Sequence, residues 1–145
     1  MKTTRLLTLI FTITILVSSC SKNETVDLNS VQLNNNLKQG SWKVSYFSEK
    51  GKDETSNFSG YTLLFAENGV FTFGNSVNTF TGTWSSDHQS DDNSNSSNKL
   101  IILITGSKLA DDLQDDWIII EMNENSIQLK DDNVSSDEFL NLTRI

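Results

Sequence analysis

"GSWKVSYF", residues 40–47, decides how the rest of the chain reads. Before it, apolar residues recur at helical intervals; from it onward they alternate. Trp42, Val44 and Tyr46 stand against Lys43 and Ser45, the period of two that marks a strand with one buried face. Upstream, Leu28, Val31 and Leu33 fall near helical spacing, with Leu37 one turn on. Asp27 or Asn29 would cap this short helix and Gly40 would end it. Downstream, "GYTLLFA" (60–66) alternates Tyr61, Leu63 and Phe65, then meets the hairpin signal "ENG" (67–69). The chain returns as "VFTFG" (70–74) with Phe71 and Phe73 on one face, and "TFTGTW" (79–84) aligns Phe80, Gly82 and Trp84.

"SSDHQSDDNSNSSN" (85–98) is too polar to bury and reads as a long loop. "KLIILIT" (99–105) and "WIIIEM" (117–122) are continuous apolar runs, expected of strands covered on both faces or tightly packed. "NEN" (123–125) turns into "SIQLK", and "EFLNLTRI" (138–145) sets Leu140, Leu142 and Arg144 on one face. These make eight strands with no helical period between them, in a chain without proline. Neighbours in sequence usually pair, so the simplest arrangement is an all-β antiparallel meander. Eight such strands can close into an up-and-down barrel and lose both edges. A β-sandwich would use the same strands.

A short helix followed by Gly40-Ser41-Trp42 resembles the Gly-x-Trp signature of lipocalins. The second Gly-x-Trp at Gly82 and Trp84, the Phe-x-x-Asn-Gly of Phe65 to Gly69, and Asp116-Trp117 are similar to the lipocalin-like domains of Bacteroidetes lipoproteins. The resemblance spans residues 40–145 and implies an eight-stranded antiparallel barrel that binds a small apolar or amphipathic molecule. It also implies that Arg144 lies across Trp42. In a closed meander the first and last strands are neighbours, so these two residues share a rim. A guanidinium over the indole would contribute ~0.5–2 kcal/mol and seal the barrel's bottom.

The amino-terminal stretch carries an address. Lys2 and Arg5 precede an apolar run from Leu6 to Val17, then Ser18, Ser19 and the only cysteine, Cys20. This is the layout of a secretory signal, and the run is too short for a transmembrane helix of ~20 residues. Val17-Ser18-Ser19-Cys20 also resembles the lipobox of bacterial lipoproteins, with valine where leucine is commoner. That resemblance implies acylation of Cys20 and cleavage before it, and so a permanent hold on a bilayer, since two or more acyl chains bind stably. The alternative is a plain secreted protein cut near Ser19, leaving a lone thiol in an oxidising compartment. "SKNE" (21–24) loosely resembles surface-export tags, so either face of the bacterial outer membrane is open. The expected organisation is a signal peptide at 1–19, a polar tether and short helix at 20–39, and the barrel at 40–145.

Loss of residues 1–19 would remove two basic residues and no acid, taking the net charge from −8 to −10. Such a domain is not expected to hold nucleic acid through phosphates or to hug an anionic membrane by charge. The chemical inventory argues against an enzyme. The only histidine, His88, lies in the polar stretch, and no nucleotide, zinc or other cofactor pattern is present. Acids come as doublets, Asp111-Asp112, Asp115-Asp116 and Asp131-Asp132, without EF-hand spacing. In an up-and-down barrel these would gather with Glu49, Asp53, Glu54, Asp137 and Glu138 at the mouth opposite Trp42. Lys50, Lys52, Lys108 and Lys130 would dilute the field there. Trp42, Tyr46, Phe65, Phe71, Phe73, Phe80, Trp84 and Trp117 are candidates to point inward. Of the possible ligand contacts we single out Tyr46, Tyr61, Phe65, Phe73 and Trp84, with the two tyrosine hydroxyls as donors to a polar head. Two functions follow: a membrane-anchored carrier, or a ligand-free structural or protein-interaction module of the cell envelope whose rings fill its own core.

Overall fold

The structure, a computed structural model, describes residues 28–90 and 96–145. The signal, Cys20 and most of the tether lie outside the described residues. Helix α1 (Leu28–Leu37) leads into strands β1 (Trp42–Glu49) and β2 (Lys52–Asp53), then a 3-10 turn (Thr55–Phe58). There follow β3 (Thr62–Phe65), β4 (Val70–Gly74), β5 (Thr79–Ser90), β6 (Ser96–Leu103), helix α2 (Lys108–Asp111), β7 (Asp115–Met122), β8 (Ser126–Asp131) and β9 (Phe139–Arg144). Every pairing is antiparallel; from β3 onward each strand pairs with the next, and β9 pairs back onto β1. β2 is a stub on the far end of β1, so the wall is a closed barrel of eight strands with a short helix at its amino-terminal side.

Turn chemistry is local and legible. In the β3–β4 hairpin Gly69 takes φ 78, a left-handed conformation that costs glycine little. Gly82 has a different reason. A Cβ there would sit 2.1 Å from the Leu103 carbonyl oxygen and 2.8 Å from Ile104 Cβ, so only a bare Cα lets β5 bend across β6.

Burial follows the expected alternation except where the ladder interrupts it. Trp42 and Val44 face inward, but the register against β9 slips between Val44 and Tyr46. This bulge adds Ser45 to one strand and reverses the sides thereafter. Phe47 is consequently buried, and Tyr46 points outward at 37% exposure. The inward placement expected for Tyr46 is thus corrected by a one-residue slip.

The polar stretch 85–98 is also not a loop. β5 and β6 form a long hairpin, pairing Ser85 with Ile101 and continuing to Ser90 opposite Ser96; only 91–95 lie outside the described residues. Polarity argues against burial, not against pairing, and backbone groups can ladder in water when one end of the hairpin is already held in a sheet. The continuous apolar runs are not covered on both faces. Leu100, Ile102 and Trp117 are buried while Leu103 and Ile120 are exposed. Two connections carry helical turns that no period announced, the 3-10 turn and α2.

Both ends of the barrel are stoppered. At the bottom, Leu33 and Leu37 of α1 are fully buried, and the Trp42 indole N–H donates to the Leu37 carbonyl at 3.0 Å. Val31, on the other side of α1, remains exposed. At the top, Ala110 and Leu113 are fully buried, and the Trp117 indole N–H donates to the Leu113 carbonyl at 3.1 Å. Ser107 caps α2 by accepting from the Ala110 amide.

Candidate functional site

Four places in the molecule hold the residues singled out above: the floor, the interior, the mouth and one seam of the wall. At the floor, Trp42 and Arg144 are directly paired across β1 and β9, and the Arg144 guanidinium carbon lies 5.0 Å from the Trp42 ring. One guanidinium nitrogen donates to the Asn36 carbonyl at 3.0 Å, tying α1 to β9. Nε of Arg144 is buried without a hydrogen-bond partner among the described residues. The pair therefore works by ring contact and one charge-assisted bond, and offers a ligand no access.

Inside, Phe65, Phe73 and Trp84 are buried. Their faces are taken by one another. Phe65 meets Trp84 edge-on at 5.6 Å and Phe71 at 5.0 Å, while Phe73 contacts Tyr61 at 4.6 Å, Phe58 at 6.1 Å and Phe80 at 6.1 Å. These are the offset and edge geometries that ring quadrupoles favour. Trp84 has also spent its indole N–H on the Ala66 carbonyl at 2.9 Å. Together with Leu63, Leu100, Ile102, Ile127, Leu129, Leu140 and Leu142 they form one contiguous core. An eight-stranded barrel is just wide enough to be filled by side chains in this way.

The mouth gathers the acids as the topology requires. Lys108 of α2 bonds Asp112 at 3.0 Å and reaches Glu54, from the β1–β3 connection, at 4.0 Å. Both anions hold the Lys108 ammonium above its usual range, Asp112 most strongly. Lys52 bonds Glu54 at 2.7 Å and lowers its carboxyl. Lys50 does the same for Glu49. Behind them, burial first and then Asp115, Glu49 and Asp131 push the Glu138 carboxyl up to about 7. Burial likewise raises Asp115. Asp115, Asp131 and Asp132 bring oxygens within 4.8 Å of one another, a donor set that hard cations accept. The spacing in sequence hides this trio because the β7–β8 ladder assembles it. Lys99 already occupies one side, 2.8 Å from Asp132. His88 lies away from these acids, on the β5–β6 hairpin, its Nδ1 2.7 Å from Asn98 Oδ1.

The seam lies between β1 and β3. These strands share a single paired position, Trp42 with Leu63, whereas β1 and β9 are paired from Trp42 to Ser48. Farther along β1 the 3-10 turn takes over. Phe47 donates its amide to the Thr55 hydroxyl at 2.9 Å and accepts from the Glu54 amide at 2.9 Å. Phe58 plugs the interior behind it, edge-on to Phe47 at 5.0 Å. Between these two attachments is an open groove of about 620 Å³, flanked by Lys43 and Ser45 on one side and Ser59, Tyr61 and Thr62 on the other. Tyr61 is the one proposed contact that reaches it. Nothing in the alternation of side chains announces a missing stretch of ladder, so this feature was not visible in the sequence.

No family model matches the chain, and no curated protein sequence does. Among solved structures, a crystal structure of a DUF4847 family protein from Bacteroides vulgatus ATCC 8482 is similar, with a TM-score of 0.52 and 16% identity. The match covers 77% of this chain and 96% of that one. At this identity the likeness is one of fold.

Proposed function

We propose that this protein is a lipid-anchored module of the bacterial envelope that recognises its partner through the outer wall of a filled barrel. The observation that carries the reading is that the rings that would have lined a carrier's chamber pack on one another, Phe65 on Phe71 and Trp84, and Phe73 on Phe80, within one core. A carrier for an apolar or amphipathic molecule needs a cavity that buries most of its ligand; here that space holds the protein's own core. Bacterial outer-membrane residence rests on the lipobox-like Val17 to Cys20, and the protein would present either to the periplasm or to the medium. The protein acts by binding, with no catalytic step.

The test is direct. Full-length protein purified from its host should show no co-purifying small molecule by native mass spectrometry, and fatty acids, sterols and haem should leave its melting temperature unchanged. A bound lipid or a ligand-induced rise in melting temperature would restore the carrier. Separately, Cys20→Ala should move the protein from the membrane to the soluble fraction; retention would refute the anchor.

A further inference from the structure

The β1–β3 groove interrupts the wall and joins an aromatic ring to uncommitted polar groups. Among the described residues, the Lys43 ammonium, the Tyr61 hydroxyl and the hydroxyls of Ser56, Ser59 and Thr62 make no side-chain hydrogen bond or ion pair, and all five residues line it. Two other lining hydroxyls are engaged, Ser45 with the Asn141 carbonyl at 3.1 Å and Thr55 with Phe47. The groove's volume, about 620 Å³, lies within the ~300–1,000 Å³ typical of small-molecule sites. In a protein of net charge −8, the described residues that line it include no Asp or Glu, and Lys43 carries their only charged side chain.

Elimination by chemistry narrows the occupant. An apolar molecule would strip water from four free hydroxyls and an ammonium without replacing their bonds. A metal cation would meet the like charge of Lys43 and no Asp or Glu side chain. A phosphorylated anion would meet a single lysine, against the field of an acidic protein. An extended peptide would need a regular edge, but the bulge at Ser45 and the lysine at position 43 are the features that block strand addition. A neutral polyhydroxylated ring fits each element. Its hydroxyls can pair with those of Ser56, Ser59 and Thr62, its oxygens can accept from Lys43, and its C–H face can rest on Tyr61. That ring is held in place by its stack on Phe73 at an interplanar angle of 17°.

We infer that the groove between β1 and β3 is a saccharide-binding site for a neutral sugar of one or two rings, with Tyr61 as platform and Lys43 as donor. The inference rests on the reading of a barrel that recognises through its outer wall. Affinity at so open a site should be about millimolar, because water competes for every bond.

The test is a chemical-shift titration of the full-length protein in detergent with cellobiose, maltose and N,N′-diacetylchitobiose. At least one should shift the amides of residues 43–45 and 59–62 saturably. Tyr61→Leu should weaken that sugar about tenfold. Ser59→Trp, at an exposed position, should abolish binding with the melting temperature kept, which tests the site even if the Tyr61 variant misfolds. Absence of shifts with all three sugars at millimolar concentrations overturns the site. So does undiminished binding by Ser59→Trp, or a stronger response to an extended neutral peptide. If these fail while the protein still ignores fatty acids and sterols, the saccharide site falls and the filled module stands.

Discussion

The two flanks of β1 are built differently. On one side it pairs with β9 from Trp42 to Ser48, and that flank ends in the Arg144–Trp42 contact and the bond to Asn36. On the other it touches β3 at one position and leaves the rest to the β2 stub, a 3-10 turn, a threonine hydroxyl and the Phe58 plug. Closure of the barrel therefore belongs to the β9 flank, and access belongs to the β3 flank. The same strand supplies both because its two edges face different neighbours.

Breaking the strong flank should cost most. Trp42→Ala removes a fully buried ring and should destabilise by ~3–5 kcal/mol in denaturant unfolding. A cost under ~1 kcal/mol would mean that the floor is not where the barrel is held. Phe58→Ala, at the weak flank, should cost about 3 kcal/mol, and its signature is local. Amide exchange should accelerate in Thr62–Phe65 while Phe139–Arg144 stays protected. Equal acceleration in both strands would erase the distinction between the flanks. Arg144→Met should cost about 1–2 kcal/mol, since it loses one charge-assisted bond and the ring contact yet also relieves a buried, unpartnered Nε.

The smallest effect sharpens the contrast at the mouth, where β9 begins. Glu138 holds its proton up to about 7 when folded, against 4.5 otherwise, so between those values the folded state binds the extra proton. Its contribution to stability is present below pH 4.5 and is lost as pH rises through about 7. Glu138→Gln should flatten the fall of stability across that interval, by less than about 1 kcal/mol because the side chain is partly exposed and screened by water. An unchanged slope would place the pH dependence elsewhere.

Much of the barrel was legible because strand signals are local. Leu63 and Phe65, then Phe71 and Phe73, alternate around a glycine turn, and that pattern alone names a hairpin with one buried face. The acidic mouth was legible at one remove, from counting which connections share an end. The candidate contacts were less so. Phe65, Phe73 and Trp84 read equally as lining or as filling, because a large apolar ring looks the same in a sequence whether it faces a ligand or another ring. Tyr46 was misread for a definite reason: the bulge at Ser45 is a relation between β1 and β9, residues nearly a hundred positions apart. The stretch 85–98 was misread because composition reports solvation and says little about backbone pairing.

From its residues alone, this chain determines the eight strands of its wall, their order, the helix before them and the sign of its net charge, since each depends on near neighbours or on simple totals. Tertiary structure decided that the interior is filled, which way Tyr46 turns, how Asp115, Asp131 and Asp132 converge, and that the wall stays open beside Lys43. Each of those depends on the register between distant strands, and register is settled only when the sheet closes.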